Sequence, residues 1–223
     1  MNGGRDLLAI AATIGLACLA ATSVSLASPD VDAPEARLAR AQSIRAELNT
    51  QARLVPRPAF TIRESTTMYP LESLTLLTED LFERRFVSAE RGIWYGMCPL
   101  EGICPSPAPR LARPAADVLP RRLALELAVR TFLATDAEVV AVSLPTPRTV
   151  AFVITREELV NEVDLRTLLA ALRAEQVPET SSVLRKVVNE LTLARTFLFV
   201  GFEPGPNGGL SWAGMPRWPI VHP

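Results

Sequence analysis

The sequence predicts an α+β domain: an antiparallel sheet of about four or five strands with packed helices, preceded by an N-terminal apolar segment and a stalk-like helix. Three observations carry this reading. Two β-rich runs, 139–144 and 150–155, are separated by Pro145, Thr146, Pro147 and Arg148, which is the pattern of a hairpin with a four-residue loop. Segment 196–202 is strongly apolar and is followed by Gly205, Pro206, Asn207, Gly208 and Gly209, dense turn chemistry that lets 210–213 return as a partner. Between these pairs lie helical periodicities, and strands linked by turns rather than by helices favour antiparallel pairing.

Taken in order, residues 7–27 carry no charge and are rich in Leu, Ile and Ala, behind a short N-terminal stretch holding Arg5 and Asp6. That is the layout of an export signal. Ser25 and Ala27 supply the small residues of a cleavage site after Ala27. The competing reading is an uncleaved anchor, since 21 residues at about 1.5 Å each span a hydrocarbon core of roughly 30 Å. Both readings place the N-terminus inside and the remainder outside, because Asp30, Asp32 and Glu35 follow the apolar run. The expected location is periplasmic, secreted or membrane-anchored, with membrane contact through 7–27 if the segment is retained. Cys18 lies too deep in the run, and Leu16 too close to it, for a lipoprotein signal.

Residues 33–54 read as a helix with Asp32 as N-cap and a thin apolar stripe of Leu38, Ala41, Ile44 and Leu48. So narrow a stripe suits a stalk, and 28–58 is assigned to that helix and a linker. The remainder, 59–223, is assigned to a single domain with a Pro-rich loop at 99–120. Within it 60–63 is extended, 71–86 is read as a helix carrying Leu74, Leu77, Leu81 and Phe82, and 93–95 as a short strand. Residues 121–134 form the strongest helix, opened by Pro120, with Leu123, Leu127, Ala128 and Leu133 on a wide buried face. Helices at 165–173, capped by Asp164, and at 182–193 are separated by Pro178.

The formal net charge of -1 supplies no basic face for nucleic acid. Lys186 is the only lysine, and the arginine excess is read as a compositional habit. His222, the only histidine, sits at the chain end, where an imidazole is seldom held rigidly enough for triad or metal chemistry. No cofactor or metal is expected. Cys98 and Cys104 are the cysteines outside the apolar segment and, in an oxidising compartment, are expected to form a short-loop disulfide. Trp94 and Tyr95, beside that loop, are the first candidates for a binding surface, with Trp212 and Trp218 as further aromatics. Paired carboxylates offer a different chemistry, with Glu79 and Glu83, Glu157 and Glu158, and Glu101 as candidates, although acids interleaved with arginines commonly serve as ion-pair partners.

The functional expectation is an exported, non-enzymatic module that binds a protein or envelope component. A carboxylate-dependent hydrolase of an envelope polymer or polysaccharide is the first alternative. An accessory subunit of a membrane assembly is the second.

Overall fold

The computed structural model describes residues 34–53, 60–77, 83–99, 118–145, 150–174 and 181–216. Helix α1 (Pro34–Arg53) leads into β1 (Phe60–Thr67), β2 (Leu71–Leu77), β3 (Arg84–Ser88) and β4 (Gly92–Pro99). Helix α2 (Val118–Ala134), the hairpin β5 (Val139–Leu144) and β6 (Val150–Thr155), and helices α3 (Arg156–Glu162), α4 (Leu165–Ala174) and α5 (Ser182–Thr192) follow. The hairpin β7 (Thr196–Pro204) and β8 (Leu210–Pro216) completes the order. The apolar leader and residue 104 lie outside the described residues. Among those described, no helix is long and apolar enough to cross a membrane.

All eight strands join one mixed sheet in the order β1-β4-β5-β6-β7-β8-β2-β3. This corrects the expected four or five antiparallel strands, because β4 pairs with β5, and β2 with β8, in parallel. The added strands come from the region before residue 139. The helix expected at 71–86 gives way, in its described part, to strands: 71–77 belong to β2 and 84–86 to β3, and the two strands pair antiparallel. The leucine spacing misled because Ser73, Leu74, Thr75 and Leu76 are all buried, so both faces of β2 are covered and no simple alternation survives.

The connections show how this sheet is shaped. Only Met68, Tyr69 and Pro70 separate β1 from β2, and only Ala89, Glu90 and Arg91 separate β3 from β4, yet these strands sit at opposite ends of the order. Ladder bonds bridge the gaps: Met68 N donates to Gly92 O at 3.3 Å, and Ala89 N to Glu72 O at 3.0 Å. Residues 60–77 and 84–99 are therefore two arms of one long hairpin, bent over at its middle. One end of this hairpin continues onto β5 and the other onto β8, so the sheet rolls until it meets itself. A side chain at Gly92 would sit 2.8 Å from Ala89 O, which is why the bend carries glycine there.

Rolling is also visible in the interior. The rings of Trp94 on β4 and Trp212 on β8 are 5.6 Å apart, edge to face. Three strands separate β4 from β8 in the order; at the usual strand spacing of about 4.8 Å a flat sheet would hold them about 19 Å apart. The inner cluster also contains Leu74, Leu76, Val87, Val139, Ala141, Ala151, Val153 and Phe197. Small residues on β5 and β6 leave room for the two indoles.

The outer face of β4, β5 and β6 packs against the helices in a second core that includes Tyr95, Val140, Val142, Phe152, Ile154, Leu125, Ala128 and Phe132. Helix α1 belongs to this core through Ala41, Ile44 and Leu48, so the thin stripe packs on its own domain. The same helix covers an edge of the sheet. Asn49 donates from Nδ2 to Ile62 O at 2.7 Å and accepts from Ile62 N at 2.9 Å, while Arg45 donates to Arg63 O at 2.9 Å. These side chains take the place of a neighbouring strand along β1.

Arg37 holds α1 against the end of α2 by donating Nε and Nη2 to the two carboxylate oxygens of Asp136, at 2.7 and 2.8 Å. That guanidinium keeps the Asp136 carboxyl below its usual range. A depressed folded value contributes stability that is complete above the unfolded value of about 4 and disappears as pH falls through the folded one. Asp136→Asn is accordingly expected to lower stability at neutral pH and to flatten the decline below about pH 4. Urea midpoints measured against pH check this; equal slopes for both chains would refute it.

Candidate functional site

The residues singled out by sequence do not form one surface. Trp94 and Tyr95 are consecutive on β4 and therefore point to opposite faces. Trp94 lies half-buried at the inner cluster, its Nε1 donating to Ser143 Oγ at 2.8 Å. Tyr95 is 0% exposed within the helix-side core. Its hydroxyl lies 2.7 Å from Thr131 Oγ1, and burial pushes the phenol up to about 12. Trp212 is buried as well. Cys98 is buried on β4, whereas Cys104, Trp218 and His222 lie outside the described residues.

Of the carboxylates, Glu79 and Glu101 also lie outside them. Glu83 is exposed ahead of β3, and Glu157 is exposed on α3. Glu158 is engaged structurally. Its Oε2 accepts from Thr155 N at 2.9 Å and Thr155 Oγ1 at 2.8 Å, Thr155 Oγ1 in turn accepts from Glu158 N, and Arg85 donates to Oε1 at 2.5 Å. Burial pushes this carboxyl up, but the bonds from Arg85 and Thr155 outweigh it and leave it below the usual range. The Thr155 to Glu158 spacing is a capping box, and it opens the helix α3 that periodicity passed over. Lys186 is exposed on α5, 3.9 Å from Glu190 one turn on. Among the described residues no group of three or more His, Cys, Asp or Glu side chains could hold a metal.

The surface that does stand out lies at the hairpin bend. Tyr69 is 88% exposed and Phe86 45% exposed. Together with Leu71, Ser88, Glu90 and Pro206 they line a cleft of about 780 Å³. Glu72 fastens its rim. One carboxylate oxygen accepts from Asn207 N and Asn207 Nδ2, both at 2.8 Å, and the other from Gly209 N at 2.6 Å. The β7–β8 turn, closed on itself by Gly205 N donating to Gly209 O at 2.8 Å, is thereby locked onto the start of β2. The cleft thus has an apolar, aromatic wall and a rim built of saturated hydrogen bonds. Such a site offers contact area and shape. No family model, no curated protein and no solved structure matches this chain.

Sequence reasoning missed Tyr69 and Phe86 because both fell beside or inside the supposed helix at 71–86. The available signal was the Tyr69-Pro70 pair between two extended runs, a turn that presents its aromatic outward. A second exposed apolar patch lies on the β7–β8 hairpin, where Phe202 is 60% and Leu210 42% exposed. Phe202 packs edge-on against Phe199 at 5.1 Å, and Phe199 stacks on Trp212 at 5.6 Å. This patch is the outer end of the inner cluster.

Proposed function

We propose that this chain is an exported module that binds a protein or envelope component through the cleft around Tyr69. The observation that carries the reading is the near-complete exposure of Tyr69 beside Phe86 and Leu71 on a rigidly fastened rim. An aromatic residue held in water at the mouth of a cleft gains free energy when a partner covers it, and Tyr is among the residues most enriched at binding hot spots. The engagement of Glu72 with the β7–β8 turn supports a binding surface over a site for acid–base turnover. Export belongs to the same proposal: it rests on the uncharged run 7–27 and accords with a disulfide between Cys98 and Cys104.

The test is capture from the envelope fraction of the source cell with a photo-crosslinking side chain at position 69 and a control at Val183, another exposed apolar position. A defined partner is expected at position 69 and not at 183. With the chain carrying no crosslinker as affinity bait, Tyr69→Ala is expected to reduce recovery of the same partner about thirtyfold relative to the wild type, as for a hot spot of about 2 kcal/mol. Absence of any partner at position 69, or recovery unchanged by Tyr69→Ala, would refute the reading. N-terminal sequencing and the mass change on reduction check the export and disulfide components.

A further inference from the structure

The two edges of the sheet are treated differently. Strand β1 is covered by Asn49 and Arg45 of α1, whereas among the described residues no strand or backbone group pairs with the outer side of β3. In an antiparallel ladder, directly opposed residues alternate between pairs that exchange both backbone bonds and pairs that exchange none. Ala89 N donates to Glu72 O, and the register runs Ser73 opposite Ser88, Leu74 opposite Val87 and Thr75 opposite Phe86. Val87 and Arg85 therefore bond toward β2, and the backbone N–H and C=O groups of Arg84, Phe86 and Ser88 point outward. None of these three residues has a backbone partner on that side among the described residues. Open space lies along this edge. Beside the cleft at Tyr69, a groove of about 380 Å³ lined by Arg85, Phe86, Val87, Glu157 and Glu158 runs between β3 and α3.

We propose that β3 pairs antiparallel with β3 of a second copy of this chain, about a twofold axis at Phe86. Phe86 then exchanges both backbone bonds with its own counterpart. The two rings, each 45% exposed in the single chain, become a cross-strand aromatic pair. Arg84 falls opposite Ser88 of the other copy and diagonal to its Glu90. The strand segment Arg84-Arg85-Phe86-Val87-Ser88-Ala89-Glu90 is basic at its start and acidic at its end, so only the antiparallel pairing brings unlike ends together. Arg85 falls opposite Val87 of the other copy, on the face lined there by Glu157 and Glu158. Charge and backbone are thus self-complementary in one register, which is what a twofold interface requires. The proposal does not depend on the binding role of Tyr69.

Light scattering of the full chain over a concentration series tests it. The wild-type chain is expected to be a dimer, and Ser88→Pro, which deletes an outward N–H without touching the β2 ladder, is expected to be a monomer. Arg84→Glu and Glu90→Arg, both at exposed positions, are each expected to raise the dimer dissociation constant about tenfold or more by placing like charges together twice. Mixed in equal amounts, these two variants are expected to form a heterodimer, since both diagonals then join unlike charges. Circular dichroism confirms that each variant is folded. A wild-type monomer throughout, or a dimer indifferent to all three changes, would overturn the proposal. Failure of the mixture to pair while the single variants dissociate would overturn the register.

Discussion

Trp212→Ala is expected to lower the stability of the domain by about 3–5 kcal/mol, the range for removing a large buried aromatic side chain. Its indole is 4% exposed and contacts Trp94 edge-on and Phe199 in a stack, each at 5.6 Å between centroids. Gly214 leaves it space, since a side chain there would strike the ring. Trp94→Ala is expected to cost less, because Trp94 is only half-buried. The informative quantity is the coupling between the two. An edge-to-face aromatic pair contributes about 0.5–1.5 kcal/mol beyond the area it buries, so the double variant should be that much less destabilised than the sum of the single ones. Urea unfolding of all four chains measures it. A flat eight-stranded sheet would place the two rings too far apart to couple, and strict additivity would therefore refute the rolled arrangement.

This roll is the part of the fold that the sequence reading did not reach. The helices at 118–134, 165–174 and 182–192 and the hairpins β5–β6 and β7–β8 were legible because each is specified locally. Asp164 accepts from Thr167 N at 2.8 Å and Ser181 from Leu184 N at 3.2 Å, and Pro or Gly turns mark the hairpins. The long bent hairpin is specified by contacts far away in the chain: β2 pairs with β8, and Ser73 Oγ donates to Ser211 Oγ at 3.0 Å across 138 residues. No local period reports such a partner. Burial on both faces of β2 also erased the alternation that would have distinguished a strand from a helix.

The exposed aromatic surface at the hairpin bend was not legible in the sequence. Aromatic residues beside Cys98 were a reasonable pointer, yet Trp94 and Tyr95 are neighbours in a strand, and neighbours in a strand cannot share a face. The exposed aromatics are Tyr69 and Phe86, in the stretch whose secondary structure was misread. An error in one element thus carried over directly into the site. The cover over β1 and the open edge of β3 could not be read from sequence at all, because they depend on which strands end the sheet.

The arginine excess has a physical use beyond composition, and Arg156 gives the clearest case. Its guanidinium donates from Nε to Ala137 O at 2.9 Å, from Nη1 to Phe132 O at 2.7 Å and from Nη2 to Thr135 O at 2.6 Å. Those carbonyls stand at and just beyond the end of α2, where a helix leaves its last acceptors without internal partners and its dipole favours a cation. The same group lies over the Phe132 ring at 5.2 Å. One side chain at the start of α3 therefore closes the end of α2 and fixes the turn into β5. Burial holds the Arg156 pKa below its ordinary value, against the raising effect of Asp136 and Glu138, yet a guanidinium remains charged throughout the physiological range. Arg156→Met retains much of the apolar stem and deletes all three donors, and is expected to cost about 2–4 kcal/mol by leaving poorly solvated carbonyls unpaired. Arg156→Lys is expected to recover less than half of that loss, because a single ammonium cannot reproduce the planar fork that reaches three acceptors at once. Thermal and urea unfolding of both variants check this. Equal stability of the lysine variant and the wild type would show that charge alone, without the fork, closes the helix.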